Sequence, residues 1–95
     1  MTKKYELSWR GENNNFHCKQ FKDYINVEKV FNRKVNEKVI KTISAEINYY
    51  FVGNDVPDEE VGKDYLIKGF YREVIEILGH DVITEKINFY NEYII

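Results

Sequence analysis

The sequence predicts an α+β fold: an antiparallel sheet of four or five strands with one main amphipathic helix packed on one face. Three observations carry this expectation. Stretches of period-two alternation recur along the chain, turn-forming clusters separate them, and one segment, about residues 64–78, repeats its apolar residues at intervals of three and four. Ninety-five residues suffice for one domain with a modest core, so 1–95 reads as a single unit. Hydrophobic residues at 43% separate the chain from disordered sequences, although 32% of it is charged.

The elements follow in order. Tyr5, Leu7 and Trp9 alternate with Glu6, Ser8 and Arg10, the pattern of a strand with one buried face. Gly11-Glu12-Asn13-Asn14-Asn15 gathers residues that tolerate positive φ or bond their own backbone, so the chain turns there. From Phe16 to Phe31 the apolar residues fit neither period. A hairpin return through Phe16–Phe21 is preferred, and a short helix near residues 19–31 is the rival. Asn32–Glu37 reads as a turn. The β-branched and aromatic runs Val39-Ile40-Lys41-Thr42-Ile43 and Ile47-Asn48-Tyr49-Tyr50-Phe51-Val52 then argue for a strand over 40–52.

Gly53-Asn54-Asp55-Val56-Pro57 ends that strand, because Pro57 has no N–H to give a ladder. Leu66, Ile67, Phe70, Val74, Ile77 and Leu78 recur at helical spacing, opposite Lys68, Arg72, Glu73 and Glu76. Asp58, Glu59, Glu60 and Asp64 favour a helix start here, with Asp64 as the N-cap and Gly79 just past the end. Val82-Ile83-Thr84 and residues 87–93 restore alternation, with Ile83, Ile87, Phe89, Tyr93 and Ile95 on one face of a last strand. An apolar face reaching residue 95 implies a docked segment, either inside the sheet or at an edge where a second copy adds on. Monomer and homodimer through this C-terminal strand both remain open.

Composition narrows the setting. A single Cys, Cys18, allows no intrachain disulfide and points to a reducing, cytoplasmic compartment. The N-terminal residues lack an apolar signal core, and no apolar run is long enough to span a bilayer. Eleven Lys, eleven Ile and ten Asn against three Arg fit an AT-rich coding sequence, as in low-GC bacteria and their phages. The expected setting is therefore a bacterial or phage-infected host cell.

No motif identifies a reaction. His17 and Cys18 are adjacent, so on a strand they point to opposite faces, read as one exposed His and one core-facing Cys. One Cys and two His fall at no zinc spacing, and His80 reads as a cation at a helix C-terminus. Neither a Gly-rich phosphate loop nor a nucleophile elbow is present, so no cofactor, metal or catalytic residue is assigned. Lys68-Gly69-Phe70-Tyr71 has the Lys-Gly-Phe start of an RNA-recognition strand, but it lies within the helical pattern and is set aside.

Charge is the remaining signal. Residues 1–42 carry ten Lys/Arg against five Asp/Glu and residues 43–95 carry four against eleven, so a net of -2 divides into +5 and -7. Such asymmetry steers partners without fixing a fold. Asp55, Asp58, Glu59, Glu60 and Asp64, joined by Glu73 and Glu76, offer a carboxylate surface to a partner's Lys/Arg groove, in imitation of nucleic-acid phosphates. The expected function is a non-enzymatic protein-interaction module, of the type of a phage or mobile-element inhibitor of a nucleic-acid-handling host protein (anti-CRISPR or anti-defence). The alternatives are a small RNA- or DNA-binding domain using Lys29, Arg33, Lys34, Lys38 and Lys41, and a phage structural or assembly subunit.

Overall fold

The computed structural model describes residues 2–89 and has the expected α+β architecture. Strands β1 (Thr2–Arg10), β2 (Phe16–Phe21), β3 (Thr42–Val52), β4 (Tyr65–Ile77) and β5 (His80–Phe89) form one antiparallel sheet in the order β2-β1-β3-β4-β5. Among the described residues a single α-helix, α1 (Tyr24–Val35), packs against β1, β2 and β3. The hairpin return and the strand at 40–52 are where the sequence places them, as β2 and β3.

The helix is not at 64–78. It occupies the segment that fits neither period, because Phe16–Phe31 joins a strand to the start of a helix and a single window averages the two. Counted from Tyr24, the stripe Tyr24, Val27, Phe31 and Val35 has helical spacing, and Val27 and Phe31 are buried. Asp23 caps the first turn by accepting the Asn26 N–H at 2.9 Å. Helical structure therefore continues through much of the expected turn at Asn32–Glu37, and Asn36 is the C-cap.

The expected helix at 64–78 is strand β4, for three physical reasons. Ile67, Val74, Ile75 and Ile77, with Tyr65, Phe70 and Tyr71, are β-branched or aromatic and suit a pleated surface. A register shift also breaks the alternation: Ile47 lies opposite Lys68 but Asn48 lies opposite Leu66, which leaves Ile67 as an extra residue. Finally, β3 pairs with β4 only as far as Thr42 opposite Glu73. Beyond that point β4 and β5 continue as a two-stranded arm with both faces open, so neither face imposes an apolar pattern. The molecule accordingly extends 57 Å along its longest axis against 23 and 21 Å.

The cap assignments change with it. Asp64 is an exposed residue preceding β4, and His80 opens β5 instead of following a helix. Gly79 does take a positive φ, of 80°, but in a two-residue hairpin turn with Leu78 at 54°. Both central residues at positive φ define the turn whose twist matches paired strands.

The core lies between α1 and one face of the sheet. Leu7 faces Ile47 across β1 and β3, Ala45 faces Phe70 across β3 and β4, and these residues close over Val27, Phe31 and Ile43. Arg72, opposite Ile43, joins the same face and is only 8% exposed. Its guanidinium donates to the carbonyl oxygens of Val35, Glu37 and Ile40 at 2.9, 2.7 and 3.0 Å. A cation at the C-terminal end of α1 thus satisfies the carbonyl of its last residue, Val35, and braces two carbonyls of the loop that follows. On β5, Ile83 and Ile87 lie opposite Val74 and Phe70 and share this face, while Tyr93 and Ile95 of the expected stripe lie outside the described residues.

Candidate functional site

The acidic segment between β3 and β4 is a structured loop. Gly53 begins it at φ 121°, a conformation that residues with a Cβ rarely adopt. Pro57 leads into a single 3-10 turn, Asp58–Glu60, held by Glu60 N–H to Pro57 carbonyl at 2.9 Å and Val61 N–H to Asp58 carbonyl at 3.3 Å. The Tyr65 hydroxyl donates to the Glu60 carboxylate and ties the turn to the start of β4. That hydrogen bond, with burial, pushes the Tyr65 phenol up from its ordinary pKa. Tyr65 is anchored in turn by stacking on Tyr49, with ring centroids 5.0 Å apart, and by meeting Phe51 edge-on at 6.1 Å.

On this frame Asp55, Asp58, Glu59 and Asp64 are exposed and Glu60 is half-buried. Five carboxylates thus share one loop at one end of the sheet. Burial pushes the Tyr50 phenol upward, and Glu6 of β1 and one of these carboxylates, Asp64, add to that shift.

Glu73 and Glu76 do not belong to this surface. A helix would place residue 76 about 18 Å from residue 64, but at strand rise the two are about 40 Å apart. Both glutamates sit toward the far end of β4, and their odd and even positions put them on opposite faces. Glu73 instead accepts the Tyr71 hydroxyl at 2.8 Å.

The basic residues gather around the second half of α1 and the loop to β3. Lys29 and Arg33 are exposed one turn apart, and Lys38 and Lys41 are exposed in the loop. Lys34 pairs with Glu37 at 3.6 Å and lies 4.9 Å from the centre of the Trp9 ring, which also stacks on His17 at 5.1 Å. Carboxylates intrude here. Glu12 accepts the backbone N–H groups of Lys41 and Thr42, and Glu28 meets Lys68 at 3.9 Å. The fold therefore sets Glu12, Glu28 and Glu37, carboxylates of the basic half itself, among these cations, which weakens the region as a phosphate track.

His17 and Cys18 do point to opposite faces, but Cys18 is exposed on the helix-free face instead of facing the core. Burial, then a hydrogen bond with Glu6, raises its thiol pKa, which disfavours the reactive thiolate. Among the described residues, no three His, Cys, Asp or Glu side chains gather as metal ligands. The Lys68-Gly69-Phe70 stretch is a strand after all, yet Phe70 is buried toward α1 and presents no ring for stacking a base. Beside α1, Phe31, Val35, Phe70 and Ile87 floor an open groove of about 460 Å³, rimmed by Lys38, Lys68, Arg72 and Glu85.

Two functional contributions were missed in the sequence: Arg72 as the clamp on α1, and Tyr65 as the anchor of the acidic loop. Arg72 carries no local signal, since its acceptors are more than thirty residues away. Tyr65 lies five residues from Glu60, but only a strand at 65 brings the hydroxyl back to the turn. No described helix is long and apolar enough to cross a membrane. Comparison with protein-family models, curated proteins and solved structures finds no match to the chain.

Proposed function

We propose that this chain is a non-enzymatic protein-binding module whose contact surface is the acidic loop spanning residues 55–64. The observation that carries the reading is the gathering of Asp55, Asp58, Glu59, Glu60 and Asp64 on one loop held by backbone hydrogen bonds and the Glu60–Tyr65 contact. A preformed loop spends little conformational entropy on binding, and closely spaced carboxylates match the guanidinium and ammonium groups of a basic surface. The partner class that fits is a protein with a Lys/Arg groove. A nucleic-acid-handling host protein is the instance favoured here, and inhibition by phosphate mimicry of the anti-CRISPR or anti-defence type is the corresponding role.

Capture from an extract of the native host tests the reading. The variant combines Asp58→Asn, Glu59→Gln and Asp64→Asn and leaves Glu60 in place, because Glu60 holds Tyr65. A protein retained by the wild type and lost by this variant supports the acidic surface. Equal retention by both, or retention of nucleic acid alone, overturns it.

A further inference from the structure

We propose that β5 is a homodimerisation edge, along which two copies pair antiparallel about a twofold axis at Thr84. This stands apart from the acidic-loop reading and uses a different surface. Among the described residues, β5 pairs with β4 alone, and that pairing runs from Ile77 opposite His80 to Lys68 opposite Phe89 without a bulge. Edges are normally blunted by short length, a proline, a bulge or a covering helix. β5 has ten residues and no proline, and α1 packs on β1, β2 and β3. Apolar side chains accompany the open edge: Ile83 is 63% and Ile87 51% exposed on the helix side, with Val82 on the other.

The charges on β5 determine how a second copy fits. An axis perpendicular to the sheet keeps the helix side of both copies on the same side, so an odd residue must face an odd one and an even residue an even one. Pairing centred on Glu85 or Lys86 sets like charges directly opposite each other, and pairing centred on Ile83 opposes Asp81 to Glu85. Like charges so placed are destabilising. Centring on Thr84 opposes Thr84 to Thr84, Ile83 to Glu85, Val82 to Lys86, Asp81 to Ile87 and His80 to Asn88. It pairs residues 80–88 and opposes no like charges. Charges that ordinarily protect an edge here reject the neighbouring registers, and the registers centred on Val82 and Ile87, which also oppose no like charges, pair only five residues of β5 each against nine for Thr84. The product is a ten-stranded sheet with both helices on one face.

Sedimentation of the full chain provides the test, with substitutions at the axis. Thr84 is exposed, so a charge there leaves the protomer intact but meets its own copy in the dimer. The wild type is expected to dimerise, and Thr84→Lys and Thr84→Glu each to weaken the dimer by roughly two- to fivefold. Mixing the two variants restores a dimer, because Lys then faces Glu. In a Cys18→Ser background, Thr84→Cys is expected to give an interchain disulfide on mild oxidation. A wild type that stays monomeric at high protein concentration overturns the proposal and leaves the edge to a strand from another protein. A dimer indifferent to both charged substitutions also overturns it, by placing the interface elsewhere.

Discussion

Arg72 donates from its Nη1 to the carbonyl oxygen of Val35 at 2.9 Å, so a side chain of β4 closes the last turn of α1. Its Nη2 reaches two further carbonyls, Glu37 and Ile40, in the loop that leads to β3. One guanidinium thereby fixes where the helix ends and how the chain re-enters the sheet. A guanidinium spreads five N–H donors over a rigid planar fork, which lets two of its nitrogens serve three separated carbonyls.

Replacing Arg72 by Met, which keeps much of the volume, is expected to destabilise the fold by about 3 kcal/mol, because the carbonyls lose charge-assisted hydrogen bonds. Arg72→Lys recovers only part of this, since an ammonium lacks the fork geometry. Urea unfolding measures both. A variant as stable as the wild type would show that water replaces the clamp at no cost.

The hairpin tip offers a gain in stability. Leu78 is 94% exposed at φ 54°, where a non-glycine residue is strained and Asn is better tolerated. Leu78→Asn gives the preferred Asn-Gly turn and is expected to stabilise by roughly 0.5–1 kcal/mol. Gly79→Ala, at φ 80°, is expected to do the opposite. Thermal unfolding of the pair reads the sign of each.

Alkaline pH is expected to weaken the fold through Tyr24, whose phenol is pushed up to about 12 by burial, then by its hydrogen bond with Glu28. The unfolded phenol titrates near ~10, so between ~10 and ~12 the folded chain holds a proton that the unfolded chain releases. The stability contribution is complete below that window and falls as pH rises through it. Tyr50, Tyr65 and Tyr71 shift in the same direction, so Tyr24→Phe should flatten the decline without removing it. Glu28→Gln should bring the latest tyrosinate absorbance change to lower pH, and an unmoved titration would contradict the assignment.

The legible and illegible parts of the fold divide on physical grounds. β1 and β3 were readable because each has one face against the core, which imposes alternation such as Tyr5, Leu7 and Trp9, whereas β2, exposed at Phe16–Gln20, was readable only as the return strand after the Gly11–Asn15 turn. β4 was not, because its bulge at Ile67 and its free arm break the period, and because Leu66, Phe70 and Val74 happen to repeat at four. Without its true boundary at Asp23, α1 was diluted by β2. The acidic cluster at residues 55–64 was legible as a sequence neighbourhood. Its separation from Glu73 and Glu76 depends on whether each residue advances about 1.5 or 3.3 Å, and so followed the error in β4.

The central claim is that the carboxylates of the 55–64 loop guide and hold a basic partner. Its most direct test is the association rate of the captured partner with the wild type and with the Asp58→Asn, Glu59→Gln, Asp64→Asn variant, across a range of ionic strength. Electrostatic steering predicts at least about tenfold slower association of the variant at low salt, a flatter salt dependence, and convergence of the two at high salt. Equal rates with equal salt dependence would contradict the claim and move the binding surface away from this loop.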